Sequence, residues 1–302
     1  MKKFFLFATA LLMSASMFAK TSVITYTASE KLEETTYGGD GGLHTNAFYA
    51  ADSTQLTVTH TFDEAEGVGT ITLDGEVAII GDNAFQECFS LESVTLPASV
   101  TMIGYLAFSG CSGLQSINIP EGVTTIEKHA FDGCTTLQSI TLPEGLTTIE
   151  NYIFYKCTSL TSITIPAKVT KIGEAAFAST GLTSVTIPAS VTELGEAAFG
   201  LCASLASVTF ESNACQDAIG EMAFYEVGTE TPALLTLHGT WAKENQPDED
   251  GNWYGGKFEL AGDPTTLPTL FGDGVKGNKF FHNGQLIIRK ENKNFSVLGQ
   301  EL

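Results

Sequence analysis

Apolar and polar positions along this chain repeat with a fixed step. Phe85, Phe108, Phe131, Phe154 and Phe177 stand 23 residues apart, and Phe199 follows after 22. Pro97, Pro120, Pro143, Pro166 and Pro188 keep the same step, as do Ile71, Val94, Ile117, Ile140, Ile163, Val185 and Val208. A period of this length marks a solenoid, in which each unit buries its apolar side only against its neighbours. One unit reads V-T-x-I-G-x-x-A-F-x-x-C-x-x-L-x-S-I-T-I-P, and 169–188 shows it with one residue deleted.

Each part of the unit predicts a local structure. Within 137–142, Ile140 and Leu142 fall on the inward side of a strand and Ser139 and Thr141 on the outward side, because strand side chains alternate. Leu137 is out of step and turns inward from the bend before the strand. Pro143 ends the strand, since proline cannot donate to a continuing ladder. Leu146 and Ile149 turn inward again, and Phe154 drops its ring into the core from a short helical turn. Each strand is expected to pair in parallel with that of the next coil, about 4.8 Å away. The first strand is predicted at 70–73, and a degraded coil follows Phe210 with Leu235 and Leu237 as its strand. About seven coils result.

The strand L-x-x-I-x-I-P and the segment I-G-x-x-A-F-x-x-C resemble the BspA-like leucine-rich repeats over 67–238. The resemblance implies a leucine-rich-repeat solenoid that is secreted or held at a bacterial cell surface, in a family associated with adhesion and protein binding. It brings no catalytic residues, because the shared pattern consists of core positions.

The flanks lack the period. Residues 20–66, with a Gly-rich turn at 37–42 and an alternating run at 56–62, read as an N-terminal β cap. Residues 239–302 hold two hairpin-like stretches, 253–260 and 286–297, and read as a C-terminal hairpin cap or a sorting tail. Residues 1–19 read as a secretory signal: Lys2 and Lys3, an apolar run, then small residues leading to Ala19. No cysteine precedes Cys88, which argues against a lipid anchor. Downstream of the signal no stretch approaches the roughly 18 apolar residues of a spanning helix.

Composition narrows the partner. Of 302 residues 35 are acidic and 15 basic, for a net charge of −20, and Arg289 is the single arginine. Such a chain has no electrostatic reason to hold nucleic acid or anionic lipid.

The six cysteines suggest a disulfide framework at first, but Cys88, Cys111, Cys134, Cys157 and Cys202 occupy one column of the repeat, with Thr180 between the last two. They read as small buried thiols; Cys215, outside the column, is the one candidate for a reactive thiol. No zinc spacing, nucleophile elbow, carboxylate pair or phosphate loop is present, so neither an enzyme nor a cofactor is expected. Asp248, Asp250, Asn252 and Glu259 have the spacing of a calcium loop, but Trp253 stands where that loop needs glycine. An acidic turn is the expected reading.

Two surfaces remain. The outward serines and threonines make a hydroxyl face suited to glycan or protein, or to bonding among themselves. The column Asn83, Leu106, His129, Tyr152, Ala175 and Ala197 varies, with its large members in the middle coils and Tyr105, Tyr155 and Lys156 beside them. Tyrosines on a rigid scaffold are effective contact residues. Tyr105, His129, Tyr152 and Tyr155 are the candidate partner-binding residues, for a protein first and a glycan second; packing on the turn accounts for them equally.

Overall fold

The computed structural model describes residues 21–35, 42–215, 217–228, 231–238, 246–248 and 250–260, and the backbone of three strands between 278 and 296. The signal segment and most of the Gly-rich turn lie outside the described residues. The chain winds into a solenoid of about seven coils built from strands and turns.

The inward positions fill its axis. Leu137, Ile140, Leu142, Leu146, Ile149 and Phe154 are all buried, whereas Ser139 and Thr141 are exposed. The phenylalanines stack coil on coil, with Phe131 lying parallel between Phe108 at 5.4 Å and Phe154 at 5.6 Å. The column runs on through Phe177, Phe199 and Phe224 and ends on Trp253, whose ring stacks on Phe224 at 5.4 Å. Phe48 closes the other end, edge-on to Phe85.

Parallel pairing holds the coils together in two rows. Val94 pairs with Ile117 in the first row, and Val185, Val208 and Leu235 pair in succession further on. The hairpin of Asn252–Trp253 and Gly256–Leu260 docks here, its second strand running parallel to Ala233–Leu237. The second row consists of two-residue strands, among them Ile79–Ile80, Met102–Ile103 and Thr125–Ile126.

The first row departs from expectation twice. The strand Val68–Leu73 does not adjoin Leu91–Thr95: Ser22–Ala28 lies between them, antiparallel to both. An antiparallel strand there takes up the edge that the first coil presents. Over 139–142 and 162–165 the burial alternation persists without a ladder. Side-chain burial sets the register there, and single bonds such as Ser159 N–H to the Thr135 carbonyl (3.2 Å) bridge the coils.

The expected helical turn is replaced by a third ladder. The N–H groups of Ala84, Gln86 and Cys88 close tight turns within their coil, each onto the carbonyl three residues back. Those of Asn83, Phe85 and Glu87 point out of the coil, to the carbonyls of Tyr105, Ala107 and Ser109 at 2.7–2.9 Å. Two residues per coil, four apart, adopt the left-handed region, as at Asn83 (φ 59°) and Glu87 (φ 56°). That alternation sends every second N–H to the neighbouring coil, and an i→i−4 helix cannot form. Among the described residues there is no helix.

Gly81, Gly104, Gly173, Gly195 and Gly220 share one column of the repeat, and what glycine supplies there is room, not backbone freedom. Gly195 has no positive φ, yet a Cβ there would lie 2.5 Å from the Glu174 nitrogen. At Gly122 the nearest atoms to a Cβ are 3.5 Å away. Gly195→Ala is expected to cost about 1–3 kcal/mol from overpacking, and Gly122→Ala to fall within about 1 kcal/mol of wild type. Urea melts of the two variants check the difference.

Candidate functional site

The left-handed turn residues set the candidate site, because they hold side chains at the rim of the coil in stacked columns. His129 (φ 59°) and Tyr152 (φ 59°) are successive members of one column. Their N–H groups go to the carbonyls of Asn151 and Glu174 in the following coils, which fixes the rings one coil apart. The rings lie parallel, with centroids 4.7 Å apart and an interplanar angle of 1°. Tyr105 meets His129 edge-on at 5.8 Å, and Tyr155 meets Tyr152 edge-on at 5.8 Å. Tyr105 is 43% exposed, while His129, Tyr152 and Tyr155 are half-buried. The structure thus brings the four predicted residues together as one aromatic ridge along the turn face.

Polar neighbours stiffen the ridge. The Tyr152 hydroxyl donates to the Glu174 carboxylate, and this bond, with burial and the charges of Glu174 and Glu196, pushes the phenol up to about 12. Tyr152 is therefore a protonated donor throughout the physiological range. Glu174 is fixed in turn by its N–H, which donates to Asn151 Oδ1 at 3.1 Å. His129 Nδ1 lies 2.9 Å from Asp132 Oδ2. The Lys156 ammonium sits 4.9 Å over the Tyr155 ring, within cation–π range. Asp132 and Glu174 escaped the sequence reading, although the spacing held the signal: Asp132 is one turn past His129, and Glu174 lies 22 residues past Tyr152.

The other candidate chemistry resolves into structure. All six cysteines are buried thiols without a disulfide. Four of the five column thiols donate to the carbonyl of a phenylalanine in the coil before: Cys111 to Phe85 (2.9 Å), Cys134 to Phe108 (3.1 Å), Cys157 to Phe131 (3.2 Å) and Cys202 to Phe177 (3.1 Å). Thr180 takes the thiol's place with a hydroxyl bonded to the Phe177 carbonyl at 2.8 Å. Cys215 is not the reactive thiol that its position suggests. It is buried in the core, and that burial pushes it up to about 11, away from thiolate chemistry.

The acidic string is folded onto itself. Asp248 Oδ1 accepts the N–H groups of Asp250 (3.0 Å) and Asn252 (2.8 Å). These bonds, with the Asn252 side chain first, hold Asp248 below the usual carboxylate range. Among the described residues no cluster of His, Cys, Asp or Glu is arranged to hold a metal ion. The described residues also contain no helix long and apolar enough to cross a membrane. The hydroxyl face is open to solvent. Thr27 and Ser93, 2.8 Å apart, make its one hydroxyl–hydroxyl bond among the described residues, so these side chains do not satisfy one another.

Stacked coils with parallel rows and a buried column of phenylalanine and cysteine define a leucine-rich-repeat solenoid. The profile of the BspA type leucine rich repeat region matches residues 55–181 and 124–234 with six copies, and the chain belongs to that family. Among solved structures, it is similar to a leucine rich cell surface protein from Faecalibacterium prausnitzii A2-165, with 43% identity over 44% of this chain and 36% of that one (TM-score 0.43). It thus spans about a third of that protein's length. A leucine rich repeat protein of T. pallidum shows 34% identity over 50% of this chain and 70% of its own (TM-score 0.46). One from Bacteroides ovatus ATCC 8483 shows 25% identity over 60% and 62% (TM-score 0.36). No curated protein matches the chain.

Proposed function

We propose that this protein is a non-enzymatic module, secreted or displayed at the bacterial surface, that binds another protein in adhesion or host interaction. The aromatic ridge carries the reading. Tyr105, His129, Tyr152 and Tyr155 form a contiguous strip whose backbone is locked by bonds between coils. A surface ordered before the partner arrives loses little entropy on binding. Tyrosine adds a large apolar body with a polar tip, the composition of contact hot spots. The family and the coil architecture suit a scaffold that presents such a strip.

The second reading is a glycan-binding accessory protein, favoured by the solvent-facing hydroxyl columns beside a tyrosine-bearing scaffold. Matched protein and glycan arrays separate the two. Protein hits are expected, weakened about thirtyfold by Tyr152→Ala, the effect of losing a hot spot of about 2 kcal/mol. Tyr152→Phe keeps the ring and loses only the bond to Glu174, so it should retain most of the affinity. Glycan hits abolished by changes at Tyr152 and Tyr155, with no protein hit, would overturn the proposal.

A further inference from the structure

The columns that carry the ridge rise again at the C-terminal end of the solenoid. Tyr155 and Tyr225 hold the same position in their coils, three coils apart. The bonds from Lys156 N–H to the Ala178 carbonyl, Ser179 N–H to Gly200 and Leu201 N–H to Tyr225 fix that register. Between the two tyrosines the column holds only Ala178 and Gly200.

The residue after each tyrosine distinguishes the two places. At Tyr155 it is Lys156, whose ammonium covers the ring at 4.9 Å. At Tyr225 it is Glu226, with the same left-handed backbone (φ 60° against 58° at Lys156). A carboxylate therefore stands where the earlier coil supplies a cation. Glu226 lies near enough to the Tyr225 hydroxyl to push that phenol up.

The surroundings are apolar and then acidic. Tyr225 is 41% exposed, Met222 53% and Leu201 44%, an uncovered patch at the rim of two adjoining coils. Glu221 and Glu226, both exposed, directly precede Met222 and directly follow Tyr225 in the chain. The ion pairs among the described residues involve Lys31, His60, His129 and Lys171, none of them here. Lys257, on the next rung, acts on Asp248.

We propose that the patch of Leu201, Met222 and Tyr225, flanked by Glu221 and Glu226, is a docking site for a lysine or arginine side chain of a protein partner. The cation lies on the Tyr225 ring beside Glu226, as Lys156 lies on Tyr155, and cation–π attraction adds to the charge pairing. The methylene stem lies along Met222 and Leu201, which is how long cationic side chains cover apolar surface. A net charge of −20 steers a basic segment toward the chain. The proposal rests on reading the chain as a protein-binding module and names the chemistry of one contact that such a partner makes.

Methyl-labelled methionine gives a direct probe, because the chain has only five methionines. Met222 is assigned by loss of its signal in Met222→Leu. A capped peptide of alternating lysine and alanine, titrated into the full chain, is expected to shift the Met222 signal saturably. A glutamate–alanine peptide should leave that signal in place. Tyr225→Ala and Glu226→Gln are each expected to weaken the lysine peptide about tenfold at Met222, while Glu64→Gln, in the turn between the antiparallel strands Val58–Asp63 and Val68–Leu73 at the other end of the chain, leaves it unchanged. A Met222 signal that stays still, or that moves without saturating and equally in Glu226→Gln, overturns the proposal. Protein hits on the arrays alongside such a result would sink this site alone, whereas arrays without protein hits would sink the wider reading.

Discussion

Replacing Phe131 with alanine is expected to lower stability by about 3–5 kcal/mol, the range for a buried ring whose neighbours cannot collapse into the space. The ring is fully buried, and rings pack against both of its faces at 5.4 and 5.6 Å. Its carbonyl also accepts the Cys157 thiol, and its N–H reaches the Ile153 carbonyl, so the backbone there is tied to the next coil and cannot relax independently. Thr141→Ala, ten residues on, removes an exposed hydroxyl and should cost well under about 1 kcal/mol. Because each coil touches only its neighbours, Phe131→Ala should also divide the solenoid into two units that melt separately. Urea melts followed by circular dichroism check both effects. Thr141→Ala proving the more damaging would mean that the inward and outward columns are exchanged.

Alkaline pH should unfold the chain through its thiols. Burial first of all pushes Cys111, Cys134, Cys157, Cys202 and Cys215 above the ordinary thiol range. In the unfolded chain the same groups ionise near about 8.5. Above that pH the unfolded state binds fewer protons than the native state, so stability falls as pH rises. It is fully present below about pH 8 and is lost as pH rises through the folded-state values, which for Cys215 is about 11. Each thiol contributes about 1.4 kcal/mol per pH unit, so five give roughly 7. Stability on the order of 10 kcal/mol would then be exhausted within about two units. The slope of unfolding free energy against pH steepens as the unfolded thiols ionise through about 8.5 and reads their number once that ionisation is nearly complete, at about pH 9.5–10. Cys134→Ala should reduce it by about one fifth, and an unchanged slope would contradict the buried column.

What was legible in the sequence follows from where information repeats. Phe131, Cys134 and Ile140 stand in columns whose members are chemically alike, so the period alone assigns them to the interior. The turn was misread because its backbone leaves no such mark. Leu106, Tyr152 and Ala175 occupy the left-handed region although none of these residue types favours it. The bonds between coils that hold them there come from the stack, not from local propensity. Gly110 and Gly133 at the second such position, with Asn83 and His129 at the first, hinted at it. The place of Ser22–Ala28 between two strands distant in sequence was not readable either, since strand order at an edge depends on long-range pairing. Trp253, read as an intruder in a calcium loop, ends the aromatic stack, and a composition-based view of that segment could not show it.

Of the four ridge residues, periodicity gave the column of His129 and Tyr152, and adjacency gave Tyr105 and Tyr155. The ring geometry that joins them needed coordinates, because edge-on and parallel contacts depend on rotamers.

The most direct measurement on the central claim, that the turn face binds protein, is photo-crosslinking from defined positions. A photoreactive phenylalanine analogue placed at position 152, on the ridge, or at position 141, on the hydroxyl face, is irradiated in host-tissue extract. Discrete polypeptide adducts from position 152, displaced by excess wild-type protein and absent from position 141, are the predicted result. Adducts from position 141 alone, or adducts at neither position, would contradict the assignment of the ridge as the binding surface.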